Sequence, residues 1–234
     1  MKILALDSTE NTAAVAITED ETLVASAVIN AGRSHSELLL PAIQSIMEAS
    51  RLSYSDIELF ACSSGPGSFT GVRIGVATVK GLAFGRNVPC IGVSATEALA
   101  YNYVNIDGII CPSMDARRSQ LYNALFRSEN GVITRLTEDR SISSVDLAAE
   151  LRGYNEPIYL CGGGEHIIRA AAEGNPNLKN TPELLKRQNG YSVALCAYRN
   201  ILSGADISTL TDRAVAPSYL RPSQAERMRN GEKD

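Results

Sequence analysis

Residues 3–18 read I-L-A-L-D-S-T-E-N-T-A-A-V-A-I-T, and residues 109–126 read I-I-C-P-S-M-D-A-R-R-S-Q-L-Y-N-A-L-F. Each stretch opens on a short apolar run, which predicts a buried strand. Each run ends in an aspartate, Asp7 and Asp115, and a second run begins six residues later, at Ala13 and Leu121. A strand, a polar turn and a returning strand therefore occur twice, about a hundred residues apart in the chain.

The same order extends outward from both copies. In the first, Ala13–Thr18 and Thr22–Ile29 flank the acidic tip Glu19-Asp20-Glu21, which predicts an antiparallel meander. Ser34 with Glu37 three residues on forms a capping-box pattern for a helix to about Ser50, and Pro41 inside it predicts a kink or a later start. Leu59–Ser63 reads as a strand, S-G-P-G-S-F-T-G (64–71) as a turn, and the residues to Phe84 as a helix. Val88–Val93 is a further strand, and Ser94 caps another helix. In the second copy, Leu121–Phe126 and Val132–Leu136 are strands joined at Glu129-Asn130-Gly131. A helix at Val145–Leu151, a strand at Pro157–Cys161, the turn Gly162-Gly163-Gly164 and another helix follow. The pattern predicts a duplicated α/β fold with two lobes, residues 1–105 and 106–234. The Ser192–Leu202 helix is expected to pack back between the lobes, and the charged tail Gln224–Asp234 to fray.

Composition narrows the class of function. Lys and Arg number 22 and Asp and Glu 26, a formal charge of −4, so the chain lacks the excess of cations that nucleic-acid binding requires. Apolar residues at 44% and charged residues at 21% exclude a largely disordered or fibrous chain. No apolar run approaches the ~20 residues of a membrane span, and the apolar start stops at Asp7, too early for a signal-peptide core. Cys62, Cys90, Cys111, Cys161 and Cys196 are scattered, odd in number and never in a C-x-x-C pair, which argues against a disulfide framework or a zinc site. The expectation is a soluble cytoplasmic protein with reduced, mostly buried thiols.

Several residues invite a chemical reading. Gly65-Pro66-Gly67 lies between a strand and a helix and either holds a phosphate or simply makes a tight turn. It is no P-loop, because Lys80 lies far down the helix, and the G-x-G-x-x-G spacing misses by one residue at Gly71. Asp7, Ser8 and Thr9 follow the first strand, where a carboxylate either orders a metal-bound nucleotide or satisfies turn amides. Gly162, Gly163 and Gly164 form a second candidate contact for a nucleotide. His35 and His166 are the only histidines, fall in different halves and have no neighbouring Cys, so no metal site is expected. No catalytic triad has a recognisable context, and no catalytic residue or cofactor is assigned. The helix from Gly71 to Phe84 is apolar nearly all round, and the Ser34–Ser50 helix is similarly broad. Either both are sandwiched inside their own domain, or they offer a face to another subunit.

The blocks I-L-A-L-D-S-T (3–9), H-S-E-L-L-L-P (35–41), S-G-P-G-S-F-T-G-V-R-I-G (64–75), K-G-L-A (80–83), M-D-A-R-R (114–118) and P-S-Y-L-R (217–221) together resemble the bacterial TsaB (YeaZ-like) family along the whole chain. The resemblance implies an actin-like, Hsp70-like, sugar-kinase-like (ASKHA, RNase H-like) fold. It implies a non-catalytic subunit that pairs with the catalytic paralogue TsaD in making tRNA threonylcarbamoyladenosine, with the small ATPase TsaE joining the complex. It also implies that the isolated chain homodimerises, that tRNA is met only through the complex, and that no membrane is involved. On this resemblance the interface is assigned to His35, Leu39, Ile43, Met47, Gly71, Val72, Gly75, Val76, Val79 and Lys80. Gly75→Trp or Val76→Glu is then expected to abolish pairing and leave the monomer folded. Where catalytic paralogues carry H-x-x-x-H after I-G-V-N, this chain has Ala95 and Leu99, side chains that cannot ligate a metal. The competing reading is a free-standing ATPase or small-molecule kinase that holds Mg-ATP with Asp7 and the glycine turns. A third, tRNA binding by this chain alone, is disfavoured by the acidic charge, although Arg117, Arg118, Arg221, Arg227 and Arg229 would add a local basic patch to a complex.

Overall fold

The computed structural model describes residues 1–221; the tail expected to fray, with Arg227 and Arg229, lies outside the described residues. The first half places β1 (Lys2–Asp7), β2 (Ala13–Glu19), β3 (Thr22–Ile29), α1 (His35–Ser50), β4 (Leu59–Ser63), α2 (Phe69–Ala83), β5 (Cys90–Val93) and α3 (Ala95–Ala100). The sheet order is β3-β2-β1-β4-β5, antiparallel among the first three strands and parallel from β1 through β4 to β5. Both faces of this sheet are covered, which is why β1 reads as an unbroken apolar run. Leu4 and Leu6 pack with Ile43, Met47, Val72, Val76 and Val79 from α1 and α2. Ile3 and Ala5, pointing the other way by the two-residue period of a strand, pack with Val193, Ala194, Cys196 and Ala197.

The second half gives β6 (Gly108–Asp115), β7 (Gln120–Asn123), β8 (Phe126–Glu129), β9 (Val132–Arg135), β10 (Arg140–Ser143), α4 (Ser144–Leu151), β11 (Ile158–Cys161), α5 (Glu165–Ala171), β12 (Leu178–Lys179) and α6 (Gly190–Leu202). The long β6 pairs with β7 along Ser113–Asp115, with β8 along Gly108–Ile110 and with β11 on its other edge. The duplication therefore holds in outline: a returning strand beside the first and a parallel strand on the other side.

Five expectations change. The single strand expected at Leu121–Phe126 is two, broken at Ala124 and Leu125. The Leu125 amide donates to the Thr137 hydroxyl at 2.8 Å, and the Leu125 carbonyl accepts the Leu136 amide at 2.8 Å, so its hydrogen bonds leave the ladder. Two short strands, β10 and β12, have no apolar alternation and were not expected. The capping box at Ser34 does not close, because the Ser34 hydroxyl bonds Ser36 and the Glu37 carboxylate takes Arg33 instead. The helix nonetheless starts at His35 and continues through Pro41. Finally, α6 does not lie between the lobes. It returns to the first sheet and covers the face opposite α1 and α2, because its Val193, Ala194 and Ala197 stripe completes that apolar layer.

Candidate functional site

The two lobes face each other across a cleft of about 780 Å³. Its lining includes Glu10, His35, Ser68 and Phe69 from the first lobe, Arg117, Tyr122, Gly163 and His166 from the second, and Arg221. Both histidines therefore border one cavity although they are remote in the chain. Among the described residues no three His, Cys, Asp or Glu side chains are grouped so as to hold a metal ion.

Asp7, the expected phosphate or metal anchor, is buried and outside this lining. Its Oδ1 accepts the Thr9 amide at 2.8 Å and the Thr9 hydroxyl at 2.7 Å, and its Oδ2 accepts the Ser63 hydroxyl. Burial raises its pKa, against the pull of those hydrogen bonds. Ser8 donates its hydroxyl to the Gly71 carbonyl at 2.9 Å. Asp7, Ser8 and Thr9 thus fasten the end of β1 to β4 and to the start of α2. The Gly65–Gly71 turn is closed by backbone: an added Cβ would lie 2.3 Å from the Ser218 carbonyl oxygen at Gly65, 2.5 Å from that of Thr9 at Gly67 and 2.0 Å from that of Ser8 at Gly71.

The second glycine turn shares this backbone closure at Gly162 and Gly164 and differs at Gly163. Gly162 and Gly164 lie against the Ser113 carbonyl. The Gly163 amide donates to Glu10 Oε1 at 3.1 Å and Oε2 at 2.8 Å, and the Gln188 side-chain amide also donates to Glu10 Oε2. Burial pushes the Glu10 carboxyl up to about 7, opposed by the Gln188 and Gly163 hydrogen bonds and the charge of Arg187 and reinforced by the nearby Asp7. His35 Nε2 donates to the Glu10 carbonyl oxygen at 2.6 Å, which fixes the tautomer, and its Nδ1 is buried with no partner among the described residues.

The assigned interface residues are mostly interior. Leu39, Ile43, Met47, Val72, Val76 and Val79 are core, Gly71 and Gly75 are buried, and His35 and Lys80 are half-buried. Lys80 Nζ donates to the Val215 carbonyl at 3.0 Å. A Cβ on Gly75 would meet Ser8 Oγ at 2.7 Å, so Gly75→Trp and Val76→Glu would disrupt the monomer itself. The outer face of the same helices is the opposite stripe: Thr70, Arg73, Ala77, Gly81 and Phe84 on and just beyond α2, with Leu40, Pro41 and Gln44 on α1. Phe84 is 76% exposed and Leu40 54%. Arg73 is held at the head of this stripe by Tyr219, whose hydroxyl accepts its Nε–H at 2.7 Å and whose ring stacks on Phe69 at 4.8 Å. Ala95 and Leu99 are buried in an apolar cluster with Tyr103, Ile110 and Met114.

Glu10 and Gln188 were missed by the sequence reading. Glu10 sits in a polar turn with no apolar period around it, and its partners lie 153 and 178 residues away.

Two lobes, each built on a sheet with antiparallel strands on one side and parallel strands on the other, meeting at a cleft, define the actin-like, Hsp70-like, sugar-kinase-like class. YeaZ from Pseudomonas aeruginosa superposes with a TM-score of 0.79 at 21% identity, over 94% of this chain and 99% of that one, which shows the shared fold. The family described as "TsaD: tRNA N6-adenosine threonylcarbamoyltransferase" matches residues 29–226. The Bacillus subtilis protein named "tRNA threonylcarbamoyladenosine biosynthesis protein TsaB" is 30% identical over 226 residues, covering 97% of this chain and 96% of its own. Its Escherichia coli namesake is 38% identical over 135 residues, 56% of this chain and 58% of its own. The chain belongs to the TsaB (YeaZ) family.

Proposed function

We propose that the chain serves tRNA threonylcarbamoyladenosine biosynthesis as a non-catalytic, activating subunit that pairs with a catalytic paralogue of the TsaD type. The names of its relatives support the process. The observation that carries the pairing is the outer stripe of α1 and α2, where Phe84 and Leu40 are exposed beside the small Ala77 and Gly81. Small residues allow a facing helix to approach closely, and a large exposed aromatic is the kind of anchor that dominates interface energetics. The interface is thereby reassigned from the inward residues to this stripe. The same surface would serve homodimerisation of the isolated chain, with TsaE joining the assembled pair and tRNA met only through the complex. The non-catalytic role is supported by Ala95 and Leu99, which offer no ligand atoms. A free-standing ATPase or kinase would depend on Asp7 and the first glycine turn, and both are committed to internal contacts.

The test is reconstituted tRNA modification with the paralogue, the ATPase and the threonylcarbamoyl-adenylate synthase, with and without this chain. Product is expected only when the chain is present, and none from the chain alone. Phe84→Asp and Ala77→Trp should lose pairing and product together while the monomer keeps its thermal midpoint. Full activity without the chain, or with both variants, would refute the reading.

A further inference from the structure

The Gly163 amide and the Gln188 side-chain amide converge on one point in the cleft wall, and a carboxylate from the opposite lobe sits on it. Gln188 is buried, so its amide has no free access to water, and losing its acceptor would leave a buried donor unsatisfied. An added Cβ at position 163 would lie 2.4 Å from Glu10 Oε1, so it is the lack of a side chain there that lets the carboxylate reach the amide. Glu10 is also held from behind, through the His35 bond to its carbonyl. Beyond it the cleft is open, about 780 Å³, within the range that small-molecule sites occupy. Arg117 and Arg221 border that space, and among the described residues neither guanidinium has an ion-pair partner.

We propose that the Gly163 amide and the Gln188 amide form a small-anion site, that the Glu10 carboxylate fills it in the resting chain and so fastens one lobe to the other, and that a ligand bearing a carboxylate or phosphate enters the cleft by displacing Glu10. The arginines at the rim would hold the remainder of such a ligand. The site is independent of the α1 and α2 outer face, and its failure would leave the pairing reading untouched.

The charged and titratable groups around Glu10 come from every neighbouring element. Asp7 stands at the end of β1 and His35 at the start of α1; Asp115 and Arg117 lie in the β6–β7 turn; Glu165 and His166 open α5; Arg187 precedes Gln188; and Arg221 closes the rim. Glu165 is already paired with Arg169 and Lys186, and Arg187 with Glu183, while Asp115 accepts the Arg117 amide at 2.7 Å. With the Glu10 carboxyl raised to about 7, a protonated Glu10 holds the two amides less strongly, so an external anion displaces it more easily at pH 6 than at pH 8.

The experiment is chemical rescue of the full chain. Glu10→Ala is compared with the unsubstituted protein by thermal unfolding and by the ¹⁵N–¹H signal of Gly163, with added sodium acetate or inorganic phosphate against sodium chloride at equal ionic strength. The alanine variant should gain about 3 °C or more over the unsubstituted chain in one or both anions, with Gly163 shifting on titration. A response to acetate alone identifies a carboxylate site, and a response to phosphate alone or to both a site that admits phosphate. No excess gain in either anion and an unmoved Gly163 signal overturn the proposal. If Glu10→Ala does not fold, the Gly163 signal of the unsubstituted chain should shift on titration with acetate or phosphate against sodium chloride, more at pH 6 than at pH 8. A signal that neither anion moves at either pH overturns it equally.

Discussion

The two glycine turns stand at the same place in the two lobes, after the strand that runs parallel to the first strand of each sheet, yet they are closed by different physics. Gly65, Gly67 and Gly71 are pressed against backbone carbonyls of Ser218, Thr9 and Ser8. Gly163 offers its amide to a carboxylate that crosses the cleft from the other lobe. The first closure is steric and tolerates no added atom. The second is steric as well at Gly162, where a Cβ would lie 2.4 Å from the Ser113 carbonyl oxygen, but at Gly163 it is electrostatic, adjustable, and sensitive to protons. Duplication supplied the same turn twice, and the contacts around each copy decided which property it has.

The sharpest way to break this contrast is to add side chains to both turns. Gly71→Val would drive a Cβ to 2.0 Å from the Ser8 carbonyl oxygen, a rigid backbone atom, and should cost more than about 4 kcal/mol, seen as loss of the cooperative urea transition. An unfolding midpoint within the range of the unsubstituted protein would show that the first turn is not sterically closed.

The next effect is pH dependence. The Glu10 carboxyl is raised in the folded state to about 7 from the ordinary 4.5, so the folded chain binds more protons than the unfolded one between those values. Stability contributed by this group is complete below about 4.5 and is lost as pH rises toward 7. The buried Asp7, raised for the same reason, adds a slope of the same sign. The loss from Glu10 is up to roughly 3 kcal/mol. Subtracting the stability profile of Glu10→Gln from that of the unsubstituted chain isolates it, and identical slopes in the two would contradict the assignment.

Gly163→Ala is a gentler probe. The added methyl meets the far end of the flexible Glu10 side chain, which can swing aside, so the cost should be near that of one charge-assisted hydrogen bond, about 2 kcal/mol. The same variant should flatten the pH slope. A cost as large as that of Gly71→Val would erase the distinction between the turns. Smallest of all, Phe84→Asp should change monomer stability by less than about 0.5 kcal/mol, because the ring is exposed, while sedimentation with the paralogue reports loss of pairing.

The helix pair shows most clearly where sequence reading stops. Leu39, Ile43, Met47, Val72, Val76 and Val79 form apolar stripes at helical spacing, and the family resemblance assigns those stripes to a subunit interface. Such a stripe reports that a face is buried, not what buries it. Here β1, β2 and β4 bury it within the chain, and the interface candidates are the less conspicuous residues opposite. Asp7 carries a similar lesson. An aspartate at a strand end is legible, but whether it faces a ligand or a neighbouring hydroxyl depends on Ser63, 56 residues away.

By itself the sequence determined the first-half order of strands and helices, the duplicated plan, and the breaks at the glycine turns. Those follow from local periodicity and from backbone conformations that neighbouring residues impose. Only the tertiary structure decided that the returning strand of the second lobe breaks at Ala124 and Leu125, that α6 crosses back to the first sheet, and that Glu10 joins the lobes through Gly163 and Gln188. Each of these depends on a hydrogen-bond partner or an apolar face supplied from far along the chain, and no local pattern records which distant group will arrive.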